Sequence, residues 1–150
     1  MERRQTVAAH RFTESARRVV FFSIYEASQW GSATIEPHHL LLGLLRAGKG
    51  ALRPWSLDTP DAAQSVRAEV EAEFPLLRWT RRDTLPLSIG GQRVIDYAVE
   101  EAEHMGCFHI GVEHLLLGIL REENSPAAAP LLQRRGLRLA EIRLKISGQN

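Results

Sequence analysis

The chain repeats itself at an offset of 75 residues, and a duplicated sequence must fold into two like units. Residues 12–46 lie over residues 87–121 with thirteen identities in thirty-five positions. These are Arg18/Arg93, Val19/Val94, Glu26/Glu101, Ala27/Ala102, Gly31/Gly106, Ile35/Ile110, His39/His114, the run Leu40–Gly43 over Leu115–Gly118, Leu45/Leu120 and Arg46/Arg121. With 150 residues to share, the copies form one compact domain or two small ones in close contact. Each copy is also a control for the other, because a difference at matched positions marks what one half does alone.

Each copy opens with an amphipathic helix. Val19, Val20, Ile24, Ala27 and Trp30 recur at three-and-four spacing, as do Val94, Ile95, Ala98, Val99, Ala102 and Met105. Thr13 and Ser88 stand as N-caps, and Gly31 and Gly106 stop the helices. A second helix starts at Pro37 in one copy and at Gly111-Val112 in the other. Its His-Leu-Leu-Leu-Gly run is apolar nearly all round, so it is the expected buried centre of each half. Thr59-Pro60 and Ser125-Pro126 read as an N-cap followed by proline at the first helical position. Val66, Val70 and Phe74, and then Leu139, Ile142 and Ile146, give the remaining apolar faces. No segment alternates with period two. The expectation is an all-α chain: two tandem four-helix repeats (about 12–74 and 87–147) forming one pseudo-twofold eight-helix domain, with a linker over about 75–86.

Composition removes several function classes. Nineteen basic residues, seventeen of them Arg, against eighteen acidic ones leave no field that argues for nucleic acid. The single cysteine, Cys107, excludes an internal disulfide and a paired-thiolate zinc site. No apolar run approaches the roughly 18 residues of a membrane helix, so the expected setting is soluble and cytoplasmic.

Three motifs imitate chemistry. Residues 43–50 read GxxxxGK, but Gly50 stands where a magnesium-binding hydroxyl belongs and the run ends an apolar helix instead of following a strand. Glu36, His38 and His39, and again His109, Glu113 and His114, gather ligand-type side chains without metal-site spacing. His39 and His114 open the buried helices, where bonding to nearby backbone is the expected role. Arg78-Trp79-Thr80-Arg81-Arg82 interleaves base and aromatic and is read as linker, not as a single-strand nucleic-acid site. No set of titratable groups converges as an enzyme requires, and neither catalytic residue, metal nor cofactor is expected.

The best binding clue is a difference between the copies. Asp96 and Glu100 stand where the first copy has Phe21 and Tyr25, and acidic residues at i, i+4 face water. Phe21 and Tyr25 are then expected to point outward, flanked by Phe22, which lies opposite Tyr97. Exposed rings forgo about 1.5–3 kcal/mol each, so something covers them. Two covers stand open: the chain's own N-terminal arm, the linker with Trp79 or Trp55; or a partner polypeptide.

Phe12–Val20, Glu26-Ala27, Gly31 and Ile35–Leu45, with Ala98–Gly106 and Ile110–Glu122 in the second copy, resemble the Clp N-terminal (Clp repeat) domain. In that family the double repeat precedes the AAA+ modules of Clp-type unfoldases and captures substrates or adaptor proteins. The resemblance therefore implies a protein-interaction module, free-standing or excised, that binds an adaptor or substrate polypeptide for a Clp-type AAA+ unfoldase. A decoy competing for unfoldase ligands and, in another class, a helical nucleic-acid-binding regulator are the alternatives. Some members bind phosphorylated arginine at two matching sites, using a Thr at the first helix start and a Glu before the buried helix's His. On that pattern one site takes Ser88 and Glu113. The other takes Thr13 with Arg11, but has His38 where the Glu belongs, and a neutral or cationic ring cannot pair with a guanidinium as a carboxylate does. Gly90-Gly91 after Ser88 also departs from the family's helix start.

Overall fold

A computed structural model describes residues 10–48, 50–74 and 84–148. They form seven α-helices and one 3-10 helix: α1 (Glu14–Gln29), α2 (Pro37–Ala47), η1 (Gly50–Trp55), α3 (Pro60–Glu73), α4 (Ile89–His104), α5 (Val112–Arg121), α6 (Ala128–Arg134) and α7 (Leu139–Gly148). The architecture is all-α, with four helical elements in each half. Thr13 and Ser88 cap as expected: Thr13 Oγ1 accepts from Ala16 N at 3.1 Å and Ser88 Oγ from Gly91 N at 2.9 Å. Gly31 and Gly106 leave the helices at φ of 66° and 70°, a region glycine occupies without a Cβ penalty. One boundary differs from expectation. Ser125 Oγ accepts from Ala128 N, but Pro126 stays in the preceding turn, where Ser125 N already donates to Glu122 O, and α6 begins only at Ala128.

The leucine-rich helices α2 and α5 are the core of each half. Leu40, Leu41, Leu42, Leu44 and Leu45 are at most 5% exposed, and so are Leu115, Leu116, Leu117, Ile119 and Leu120. Gly43 and Gly118 allow them to sit this deep. A Cβ at either position would overlap a backbone carbonyl of the preceding helix, Val19 O or Val94 O, so each helix pair crosses at matched glycines. The GxxxxGK run is accounted for by this packing: Gly43 lies inside α2, and Gly48 ends it by donating to Leu44 O. Lys49 lies outside the described residues.

The halves join by a reciprocal exchange of backbone. Thr13 N donates to Ile110 O and Ile110 N to Arg11 O; at the matched positions, Ser88 N donates to Ile35 O and Ile35 N to Pro86 O, all at 2.8–3.0 Å. The two resulting bridges, Phe12 with Ile110 and Ile35 with Leu87, convert into one another when the repeats are exchanged. This is the pseudo-twofold relation. Of the expected linker, residues 75–83, with the Trp79 cluster, lie outside the described residues.

The histidines at the starts of α2 and α5 do what their position suggested. His39 Nδ1 accepts from Glu36 N at 2.9 Å, and His114 Nδ1 from Gly111 N at 3.0 Å, so each neutral ring caps its own helix. His38 stacks on Phe74 at 4.0 Å. Burial lowers the pKa of His38 to about 4, partly opposed by Glu36, and that of His39 to about 3, aided by the neighbouring His38. Burial also lowers His114, against the pull of Glu113 and Glu101.

Gly118→Ala is expected to destabilise the protein by about 1–3 kcal/mol in urea unfolding, because the carbonyl it meets is backbone and cannot rotate away. Gly50→Ala, facing open space, is expected to be near neutral. Acid supplies a second test. The buried histidines take up protons only after unfolding, so their stabilisation is complete above pH 6.5 and is lost as pH falls toward 4 and 3. Between pH 7 and pH 5 each is expected to cost about 2 kcal/mol. His38→Phe, which keeps the stack on Phe74, is expected to flatten that pH slope by about one proton.

Candidate functional site

The outward face of α1 carries the aromatic side chains singled out above. Phe21 is 66% exposed and Tyr25 47%, and Phe22 lies edge-on to Phe21 with centroids 5.5 Å apart. Trp55 does not cover them: it lines a cleft with Arg135, Leu137 and Ile142 of the second half. The N-terminal arm and Trp79 fall outside the described residues. Instead, the Arg46 guanidinium lies over two of the rings, 4.8 Å from Phe22 and 4.9 Å from Tyr25, a cation–π arrangement. Beside it, α1, α2 and the start of α3 enclose a depression of about 400 Å³ with Phe22, Leu42, Leu45, Arg46, Pro60 and Arg67 among its walls. Leu42 and Leu45 give it apolar walls, Arg46 and Arg67 bring cationic groups to it, and Asp58, paired with Arg53, lines it as well.

Those arginines belong to a repeated device. Buried Glu26 receives Arg46 at 3.4 Å and Arg67 at 2.7 Å; buried Glu101 receives Arg121 at 3.1 Å and Arg143 at 2.7 Å. A carboxylate removed from water is costly unless it is paired and hydrogen-bonded. Arg143 and Arg121 engage both oxygens of Glu101, whereas Arg46 and Arg67 both donate to Oε2 of Glu26 and leave its buried Oε1 without a partner among the described residues. For Glu101, burial pushes the pKa up, but the hydrogen bonds and charges of Arg143 and Arg121 prevail and lower it. The repeated Glu26/Glu101 and Arg46/Arg121 thus make intramolecular ion pairs. Arg67 was not legible as a site residue, because its counterpart Arg143 falls one residue off the 75-residue register.

The corners built from Thr13 and Ser88 are assembled differently from the pairing the resemblance implied. Thr13 is bonded to Ile110 and so adjoins the 110–113 segment carrying Glu113; Ser88 donates to Ile35 O and adjoins the 35–38 segment carrying His38. The reciprocal exchange of backbone therefore brings the Thr13 end of α1 beside the segment leading to Glu113 and the Ser88 end of α4 beside the segment leading to His38, Ser88 Oγ donating to Ile35 O. Arg11 spends its guanidinium on this junction, donating to Phe108 O, Glu103 and Cys107 O. His38 is stacked and buried, and so offers nothing ionic to its corner.

A smaller apolar depression of about 340 Å³ lies between the halves, with Trp30, Pro37, His38, Phe74 and Pro126 along it. Among the described residues no three His, Cys, Asp or Glu side chains gather as a metal site, and no helix is long and apolar enough to cross a membrane.

A family model for the Clp repeat (R) N-terminal domain matches residues 11–134. The "negative regulator of genetic competence ClpC/MecB" of Bacillus subtilis (strain 168) is 32% identical over 147 residues, which cover 93% of this chain and 17% of that protein. Chloroplastic "chaperone protein ClpC1" of Arabidopsis thaliana is 34% identical over 140 residues, 91% of this chain and 14% of that one. The chain thus spans about a sixth of the curated relatives it matches. Among solved structures, the N-terminal domain of the Arabidopsis thaliana chaperone ClpD superposes with a TM-score of 0.72 at 26% identity, covering 90% of this chain and 91% of its own. The N-terminal domain of the E. coli ClpV1 ATPase shares the fold, with a TM-score of 0.70 at 18% identity over 95% of this chain and 87% of its own.

Proposed function

The chain belongs to the Clp repeat N-terminal domain family, and from that membership we propose that it is a polypeptide-binding module. It holds an adaptor or a substrate segment for a Clp-type unfoldase and catalyses nothing itself. One observation carries the reading beyond kinship: the first half displays Phe21 and Tyr25 at a surface where its own duplicate displays Asp96 and Glu100. A face that is apolar in one copy and acidic in the other is not demanded by the fold. Hydrophobic surface left in water is a standing cost that a partner's contact removes.

The charged residues point the same way. The buried carboxylates Glu26, Glu101 and Glu122 are each neutralised by arginine, which suits a scaffold better than a reaction centre. Near-balanced charge gives little electrostatic attraction to nucleic acid. Phosphoarginine is a second ligand that one corner suits. Thr13 with Glu113 offers both a hydroxyl at a helix start and a carboxylate, whereas Ser88 with His38 lacks the carboxylate that pairs with a guanidinium. Within this reading the module either delivers polypeptides to the unfoldase or competes with the unfoldase's own N-domain for adaptors.

The test adds the purified chain in trans to a Clp-type unfoldase, its peptidase and an adaptor-delivered substrate, all from the same cells. Faster degradation means delivery and slower degradation means competition; Phe21→Ser is expected to weaken either effect several-fold without lowering the melting temperature. Unchanged degradation, together with no binding to adaptor, unfoldase or substrate in calorimetry, overturns the proposal.

A further inference from the structure

The two glutamate clamps differ in one respect that the duplication makes readable. In the second half, Arg121 uses both ends of its guanidinium: Nη1 meets Glu101 at 3.1 Å and Nη2 meets Glu100 at 3.1 Å. Arg143 is engaged twice more on Glu101, through Nε at 2.9 Å and Nη2 at 2.7 Å. The acid and base of that corner satisfy one another. In the first half, Tyr25 stands where Glu100 stands, and Arg46 lies over its ring instead of donating to a second carboxylate. Arg46 keeps a single contact on Glu26 through Nη1, and Arg67 a single one through Nη2. Neither donates to a second side chain among the described residues, and the Arg46 side chain is 43% exposed against 24% for Arg121. Two guanidinium groups converge on the buried Glu26 carboxylate, with Glu71 acting further on Arg67, beside two exposed rings and a depression whose lining carboxylate, Asp58, is paired with Arg53 at 3.6 Å.

We propose that this corner binds a polypeptide segment in which an apolar side chain lies next to an aspartate or glutamate. The apolar side chain enters the depression above Leu42 and Leu45, with Phe21 and Tyr25 flanking the segment. The carboxylate takes on Arg46 the place that Glu100 takes on Arg121. The inference rests on the polypeptide-binding reading and adds the chemistry of the partner. Guanidinium groups favour this match because their flat donor edge meets both oxygens of a carboxylate, and neighbouring rings hold that edge in place. On a second copy the α4 acids are a poorer source of that carboxylate, because Glu100 is paired with Arg121 and Glu103 with Arg11, while Asp96 accepts from Gln92.

The experiment titrates the 150-residue chain into two fluorescein-labelled octapeptides, Gly-Ser-Leu-Glu-Phe-Glu-Gly-Ser and the same peptide with Gln for both Glu, and follows anisotropy at low and high salt. The Glu peptide is expected to bind at least about fivefold tighter, and added salt is expected to erase the difference. Tyr25→Glu rebuilds the second half's closed corner and is expected to abolish the preference while circular dichroism stays native. Arg46→Lys, which keeps a cation near Glu26 but loses the flat edge, is expected to reduce it as well. Phe21→Ser weakens both peptides alike and leaves their ratio. Equal binding of the two peptides, or an undiminished preference in both Tyr25→Glu and Arg46→Lys, overturns the acidic specificity and leaves polypeptide docking standing. Failure of both peptides to bind, with the unfoldase assay still responding to the chain, removes the site from this corner without touching the family-based reading.

Discussion

Everything in this fold hangs on the exchange of backbone hydrogen bonds across the pseudo-twofold axis. Each half sends the residues before its first helix to pair with the residues before the other half's second helix, through Phe12 with Ile110 and Ile35 with Leu87. Four hydrogen bonds of 2.8–3.0 Å set the positions of four helix starts at once. Those starts carry Thr13, Ser88 and the capping histidines, and behind them lie the leucine-rich helices that fill the core. Neither half closes its own corner, so the duplication behaves as one cooperative structure and not as two beads.

Duplication also explains how a small protein separates stability from recognition. The clamps of Glu26 and Glu101 tie first helix, central helix and last helix of each half together with buried ionic bonds. Removing charges from water is expensive, and the expense is tolerable only because two guanidinium groups converge on each carboxylate. Once the second half has completed this arrangement with Glu100, the first can depart from it. Replacing an acid by Tyr25 leaves the clamp standing and opens one edge of Arg46, with Phe21 and Phe22 alongside. The shared scaffold thus carries one closed corner and one open one.

The buried histidines show the same economy. His39 and His114 cap their helices with neutral rings, and burial lowers the pKa of both, so the rings stay unprotonated into the acid range. The clustering of His38, His39 and Glu36 looks ligand-like, but Nδ1 of His39, like that of His114, accepts from backbone, and His38 is stacked on Phe74.

The sequence by itself determined the all-α class, the two-fold repetition, the helix starts at Thr13, Thr59 and Ser88, the stops at Gly31 and Gly106, and the burial of the leucine runs. All of these follow from contacts within a few residues, where spacing and backbone preference act directly. The outward direction of Phe21 and Tyr25 was legible too, because the duplicate supplied acidic residues for comparison. Only the tertiary structure decided which hydroxyl shares a corner with Glu113, that Arg67 joins Arg46 on Glu26, and that Arg46 lies over Phe22 and Tyr25. Those partners are tens of residues apart, and no local periodicity records the path by which two interlocked halves bring them together.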